Sequence, residues 1–83
     1  MKTICQKDTN ISLFLFEDDV KVTLHPEQIS IGEPFNFIIS DCNVSNVEVY
    51  FNVTNQENWI AHKYLHNGIE WSINPNFIPP LIP

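Results

Sequence analysis

The chain has 83 residues and a mass of 9.6 kDa, a length that suits one small domain around a single core. Apolar residues make up 43% and charged residues 17%, a balance that predicts a folded chain rather than a charge-driven disordered one. A net charge of −6 without a basic run predicts no direct nucleic-acid binding, and no apolar run approaches the roughly 20 residues of a membrane span, so no membrane partner is expected.

Apolar residues alternate with polar ones along most of the chain, and most of them are Val, Ile, Phe and Tyr. This period of two predicts an all-β fold: a small antiparallel β-sandwich or barrel of about six to eight short strands. The first such patterns cover residues 11–17 and 20–24, on either side of Asp18–Asp19. They predict a hairpin with a two-residue turn, in which Leu15 lies opposite Val22.

The middle of the chain carries three further strand patterns. Residues 28–31 form a short one, and the turn residues 32–34 lead into a second one at 35–39. The clearest pattern spans residues 47–53, where the even positions are expected to face solvent. A capping-box spacing then predicts one helical turn over residues 55–61, the only helix expected.

The sequence Asn67–Gly68 is the strongest turn signal in the chain. It predicts a type I′ hairpin in which Gly68 has a positive φ and Tyr64 lies opposite Trp71. Residues 1–74 are therefore assigned to a single β domain. Residues 75–83 are rich in proline and are expected to form an extended C-terminal arm.

Candidate residues for catalysis or metal binding are few. His62 and His66 are four residues apart, a spacing that suits one metal on a helix but separates the Cα atoms by roughly 13 Å on a strand. The acids Glu17–Asp19 are interpreted as a solvated turn, and the two glycines do not form a phosphate loop. Cys5 and Cys42 are expected to be free, buried thiols. We therefore predict no metal, no cofactor and no enzymatic activity.

The apolar and aromatic side chains exceed what a thin domain can hide. A strand with both faces apolar lies either between layers or at a subunit contact. The residues predicted to form an interface are Phe14, Phe16, Trp59, Tyr64, Trp71 and Phe77.

The second half of the chain resembles small uncharacterised proteins of large tailed marine phages, of the cyanophage-like myovirus type. The resemblance lies in the segments Asn46–Thr54, Asn58–Trp59, Lys63–Tyr64, Asn67–Gly68, Trp71 and Asn74–Phe77. In the first half, Phe16–Asp18 and Ile31–Phe35 are similar in layout. The turn differs, since His66–Asn67–Gly68 stands where Phe-Asp-Gly is expected. The resemblance implies a phage source, synthesis in the cytoplasm of an infected bacterium and no assigned activity.

Three functions follow as hypotheses. The first is a non-enzymatic structural or protein-interaction module that self-associates and serves as a virion or assembly component, with a phage or host protein as a further partner. The second is a small acidic inhibitor of a host protein, whose negative surface would occupy a basic groove. The third is a sugar-binding module with an aromatic platform of Trp59, Tyr64 and Trp71.

Overall fold

The computed structural model describes residues 1–32 and 35–77, with Phe35 and Asn36 described by their backbone alone. The described chain contains strands and turns but no helix, and its eight strands are short. They are β1 (Lys2–Gln6), β2 (Ser12–Phe16), β3 (Val22–Leu24), β4 (Ile29–Gly32), β5 (Phe35–Ile39), β6 (Val47–Tyr50), β7 (Tyr64–His66) and β8 (Trp71–Ile73). The prediction of an all-β fold with six to eight strands is confirmed.

The strands form three small antiparallel sheets, with the orders β2-β1-β6, β3-β4-β5 and β7-β8. One face of the first sheet packs on the second sheet, and Ile4 of β1 meets Ile29 and Ile31 of β4 there. These three side chains are at most 2% exposed. The whole buried cluster consists of Ile4, Leu13, Ile29, Ile31, Cys42 and Val47.

The other face of the first sheet is also covered. Thr3 and Cys5 alternate with Ile4 along β1 and are both 0% exposed. The β7-β8 hairpin approaches on this side, through an isolated bridge between Ile11 and Leu65 and a hydrogen bond from the His66 amide to the Asn10 carbonyl. The first sheet is therefore the middle of three layers.

The predicted hairpin over residues 11–24 is wrong. The turn exists, since the Val20 amide donates to the Glu17 carbonyl, but β2 pairs with β1 and β3 pairs with β4. Asp18 is held by the N-terminal amine at 2.8 Å and by the Asn52 amide at 3.1 Å. These bonds anchor the turn to the ends of β1 and β6, so the chain passes there from one sheet to the other.

The last hairpin is present, but its predicted register is wrong by two residues. His66 pairs with Trp71 and Tyr64 pairs with Ile73, which leaves a four-residue loop. The Oδ1 atom of Asn67 accepts hydrogen bonds from the backbone amides of Ile69 and Glu70. This turn, closed by a side chain, replaces the predicted type I′ turn. The predicted positive φ of Gly68 is confirmed, at 94°. Tyr64 still touches Trp71, because diagonal neighbours lie within reach of large rings.

The strand predicted over residues 47–53 ends at Tyr50. Asn52 has a φ of 56°, which breaks the extended backbone, and Phe51 is 63% exposed. The expectation that the even positions face solvent is wrong for Glu48 and Tyr50. Both are half-buried because the hairpin layer lies over this face, where the ring of Tyr50 stacks near His66.

The remaining predicted elements have mixed outcomes. Residues 55–61 form turns rather than a helical turn. Cys5 and Cys42 are buried free thiols, as expected. Glu33 and Pro34 of the predicted turn lie outside the described residues. Residues 78–83 of the predicted arm also lie outside the described residues. The described start of the arm, residues 75–77, forms a turn that is closed by a hydrogen bond from the Phe77 amide to the Asn74 carbonyl.

Replacement of Ile29 by Val tests the buried cluster. Ile29 is 0% exposed, so the loss of one methylene group should lower the free energy of unfolding by about 0.5–1.5 kcal/mol. The control is Ile73→Val. Ile73 is 62% exposed on β8, so this variant should keep almost the full free energy of unfolding. Urea unfolding of both variants measures the difference, and equal losses would contradict the assigned core.

Replacement of Gly68 by Ala tests the hairpin loop. The free energy of unfolding of the variant should be lower by about 1 kcal/mol or more, because a φ of 94° is unfavourable for a residue with a Cβ atom. The added Cβ would also lie 3.3 Å from the Cε1 atom of Tyr50. Ile69→Ala changes the neighbouring, 87% exposed residue and serves as the control. If thermal unfolding shows no difference between the two variants, the loop geometry is wrong.

Candidate functional site

A buried polar cluster on β2 holds the segment before β7 in place. Ser12 is 0% exposed, and its Oγ atom accepts a hydrogen bond from the indole Nε1 of Trp59 at 2.9 Å. The same Oγ lies 2.6 Å from the Oγ1 atom of Thr3. The Ser12 carbonyl accepts the amide of His62 at 2.9 Å. The segment from Trp59 to His62 is thus fixed to the edge of the central sheet at two points.

His62 has an unusual backbone conformation, with a φ of 74°. Non-glycine residues seldom adopt positive φ, and those that do are often held by their surroundings at functional positions. Here the amide donates to Ser12 and the carbonyl accepts from the Nδ2 atom of Asn74 at 2.8 Å. A hydrogen bond from the Lys63 amide to the Ile60 carbonyl closes the turn. The side chain of His62 is exposed at the tip of this turn.

Two clefts lie on either side of this turn and share Ala61 and His62 as a common wall. The larger cleft has a volume of about 530 Å³ and is lined by the apolar side chains of Ile11, Ile60 and Phe77. Asn74 and Asn76 supply its polar atoms. These residues come from β2's N-terminal end, the turn and the residues after β8, so the cleft exists only in the folded chain.

The smaller cleft has a volume of about 380 Å³. Its apolar lining comes from Leu13, Phe14 and Ile39, which belong to two different sheets. Asp41 and Gln6 add polar groups at its rim. We define the two clefts together as the paired clefts.

The structure brings only part of the predicted interface together. Phe14 and Phe16 stack on each other with ring centroids 6.1 Å apart, and both are half-buried against the core cluster. They pack there because this face of β2 is turned toward the second sheet. Phe14 nevertheless lines the smaller cleft, and Phe77 lines the larger one.

The other three aromatic residues of the predicted interface serve mainly in packing. Tyr64 is 7% exposed, and its ring meets the ring of Trp71 at an interplanar angle of 72°. The indole of Trp71 donates to the Thr54 carbonyl, as that of Trp59 does to Ser12. Rings that are crossed, tethered and partly enclosed do not form a flat platform, so the geometry does not favour the sugar-binding hypothesis.

A cluster of aromatic and titratable groups lies beneath the hairpin. His66 is 1% exposed, its Nδ1 atom accepts the Gly68 amide at 3.0 Å, and Trp71 meets it edge-on at 4.7 Å. Burial lowers the pKa of His66. Tyr50 lies on its other side and donates its hydroxyl proton to Glu48; this hydrogen bond, with burial, raises the pKa of Tyr50 to about 12. Burial and the hydrogen bond that Nδ1 accepts from Gly68 both favour the neutral form of the imidazole.

Cysteine chemistry is disfavoured by the surroundings of both thiols. Burial raises the pKa of Cys5 to about 11. Burial and the nearby carboxylate of Asp41 raise the pKa of Cys42 as well. Cys42 and His62 both line the smaller cleft, but no hydrogen bond joins them among the described residues. A thiol with a raised pKa is a poor nucleophile because the reactive form is the thiolate.

Metal binding receives no support from the described part of the chain. Within residues 1–32 and 35–77, no group of three or more His, Cys, Asp or Glu side chains is placed to hold a metal ion. His62 lies at the surface and His66 in the interior, so the pair considered in the sequence has no shared open site. No helix long and apolar enough to cross a membrane occurs in the same described residues.

Comparisons with protein-family models, curated proteins and solved structures find no match to this chain.

Sequence reasoning missed most residues that line the paired clefts. Ile11, Ile60 and Ala61 belong to no motif, and they meet only because β2 and the turn after Trp59 are hydrogen-bonded together. The sequence predicts that His62 is a strand residue without a metal. The only signal for its positive φ is the modest enrichment of His, Asn and Asp at such positions.

The acid sensitivity of the protein tests the buried state of His66. Its pKa in the folded chain is lower than the ordinary value of 6.5, so the unfolded chain takes up a proton that the folded chain does not. The contribution of neutral His66 to the free energy of unfolding is complete above about pH 6.5. It is lost as the pH falls below that value. The free energy of unfolding should therefore decrease between about pH 7 and pH 5.

The variant His66→Asn should show a smaller decrease over this range. Asn keeps an oxygen that can accept the Gly68 amide but carries no proton-binding imidazole. His62→Asn removes an exposed imidazole and should retain the decrease of the unaltered protein. Urea unfolding at several pH values measures all three, and an unchanged pH dependence in His66→Asn would contradict the assignment.

Proposed function

We propose that this protein is a non-enzymatic protein-interaction module that binds its partner in the paired clefts. The observation that carries the proposal is the turn at His62, whose strained backbone is fixed by Ser12 and Asn74 while its side chain stays exposed between two apolar clefts. A surface of this kind is already in its binding conformation, so little conformational entropy is lost when a partner binds.

The chemistry of the paired clefts favours a polypeptide partner over a substrate. Their walls are mainly apolar, and the described lining of the smaller cleft includes the carboxylate of Asp41 and the imidazole of His62 but no Lys or Arg. Two adjacent, open depressions on either side of a ridge suit successive apolar side chains of a bound chain. The raised pKa values of the two thiols agree with a binding role rather than nucleophilic catalysis.

The proposal includes a biological setting and self-association. The resemblance to proteins of large tailed marine phages supports a virion or assembly component that is made in the cytoplasm of an infected bacterium. Peptides of this chain should then be found by mass spectrometry of purified virions or of assembly intermediates. The acidic-inhibitor hypothesis gains nothing from the fold, because Asp18 in the one run of acids, Glu17–Asp19, is engaged by the N-terminal amine.

A cleft-filling substitution tests the proposal. Ala61 is common to both clefts, so Ala61→Trp should fill them and weaken partner binding at least about tenfold, which corresponds to about 1.4 kcal/mol. The matched control is Ile69→Trp, which adds the same side chain at an 87% exposed position on the hairpin tip. The partner is captured from infected cells with the full chain, identified and purified, and its binding is measured by calorimetry.

Two results would count against the proposal. A purified partner that binds Ala61→Trp as tightly as the unaltered protein would move the binding surface away from the paired clefts. Equal weakening by Ile69→Trp would do the same. Unfolding curves of both variants verify that a lost interaction does not reflect a lost fold.

A further inference from the structure

Among the described strands, β5 lies at the edge of its sheet. It pairs with β4 on one side, and within the described residues its backbone makes no hydrogen bond beyond that pairing. Such an edge presents amide and carbonyl groups that another strand can pair with. The structure therefore offers a template for strand addition at residues 35–39.

Strand β5 lacks two of the features that usually protect an edge, and its one irregularity is a register shift against β4 between Ile31 and Gly32. It reads Phe-Asn-Phe-Ile-Ile, without a charged residue or proline. Natural proteins discourage edge pairing with lysine, proline or bulges, and a five-residue apolar edge is long enough to pair. Phe37 lies on the core face of the sheet and Ile38 on the outer face, and each is 45% exposed.

The other edge strands of the described chain are shorter, charged or partly occupied. The nearest rival is β2, which is also five residues long and uncharged. Its outer edge is already bonded at Ser12 to the His62 amide, and the acids Glu17–Asp19 follow it directly. Strand β6 contains Glu48, and β3, β7 and β8 have three residues each. Among these strands β5 alone combines length, neutrality and a free edge.

We propose that β5 pairs with β5 of a second copy of this chain, in an antiparallel arrangement about a two-fold axis. Two sheets of the order β3-β4-β5 then join into one continuous six-stranded sheet. In full overlap Phe37 lies opposite Phe37 of the second copy, and Ile38 lies near its own equivalent on the outer face. The contact is self-complementary, as a two-fold dimer requires.

Charge favours a second copy at this edge over other surfaces of the same protein. Two molecules with a net charge of −6 repel each other, and they approach most easily where neither presents a carboxylate. Strand β5 itself carries no charge, and the acids nearest to it in the sequence, Glu33 and Asp41, come two residues beyond its ends. This inference rests on the self-association that the proposed function includes, and it names the surface responsible.

The expected dimer is weak. A single strand pair of five residues covers less area than the about 1,200–2,000 Å² of stable interfaces, so we expect a dissociation constant in the micromolar range or above. Sedimentation equilibrium of the full chain from about 10 μM to about 1 mM covers this range. An ionic strength of about 0.15 M reduces the repulsion between the acidic surfaces.

The decisive variant is Ile38→Lys, which places a charge on the edge while leaving the core face of β5 unchanged. It should weaken the dimer at least about tenfold. The matched control is Ile69→Lys, with the same change of side chain and net charge at the 87% exposed hairpin tip. It should dimerise like the unaltered protein. Circular dichroism verifies that both variants fold.

Amide hydrogen exchange of the unaltered protein supplies a second measurement that needs no substitution. Alternate amides of β5 point away from β4, and these should gain protection as the concentration rises, whereas the edge of β3 should not. A protein that stays monomeric up to about 1 mM would overturn the inference. So would a dimer that Ile38→Lys leaves intact, or unchanged exchange in β5.

The results separate this inference from the cleft proposal. Ala61→Trp should lose the partner and keep the dimer, and Ile38→Lys should lose the dimer and keep the partner. A dimer that ignores Ile38→Lys refutes the β5 contact alone. A partner that ignores Ala61→Trp refutes the cleft alone.

Discussion

Strand β1 has no solvent face, and the arrangement of the other strands follows from that burial. Ile4 lies in the apolar cluster with Ile29 on one side, while Thr3 and Cys5 are enclosed on the other side by β2 and the hairpin layer. A chain of 83 residues has little apolar surface to hide, and a central strand enclosed by two layers hides it efficiently. With β1 in the middle, β2 and β6 become its neighbours and β3-β4-β5 must form a separate sheet.

The enclosed side of β1 is polar, and this polarity creates the candidate site. Buried hydroxyl groups must find hydrogen-bond partners, and Ser12 finds them in Thr3 and in the indole of Trp59. No buried side-chain nitrogen or oxygen within the described residues lacks a partner. The same bonds fix the turn that carries Ala61 and His62 against β2. The paired clefts thus result from the hydrogen bonds that the buried hydroxyl groups form.

The two proposed interaction surfaces are connected through β5. Ile39 lines the smaller cleft, while Phe37 and Ile38 of the same strand lie at the free edge. A second copy paired with this edge would therefore stand beside a partner bound in the cleft. It would not occupy the cleft itself. Ile60 in the larger cleft and Phe37 and Ile38 at the edge are among the exposed large apolar side chains, whose burial requires a further layer from another chain. This geometry suits a component that assembles with copies of itself while it binds a second protein.

Local sequence rules were enough to predict the all-β class, a number of six to eight strands, the positive φ of Gly68 and the buried thiols. These depend on local rules: alternation with period two and the tolerance of glycine for positive φ. Tertiary structure decided what local patterns cannot encode, namely which strands pair. The pattern around Asp18–Asp19 fits a hairpin, but β2 pairs with β1 instead of β3. The pairing with β1 is favoured because it also buries Ile4 on one side of the sheet and Thr3 on the other. The hairpin register was set by the Asn67 side chain and by the packing of His66 against Tyr50 and Trp71. The clefts combine residues far apart in the chain, so no spacing in the sequence could reveal them.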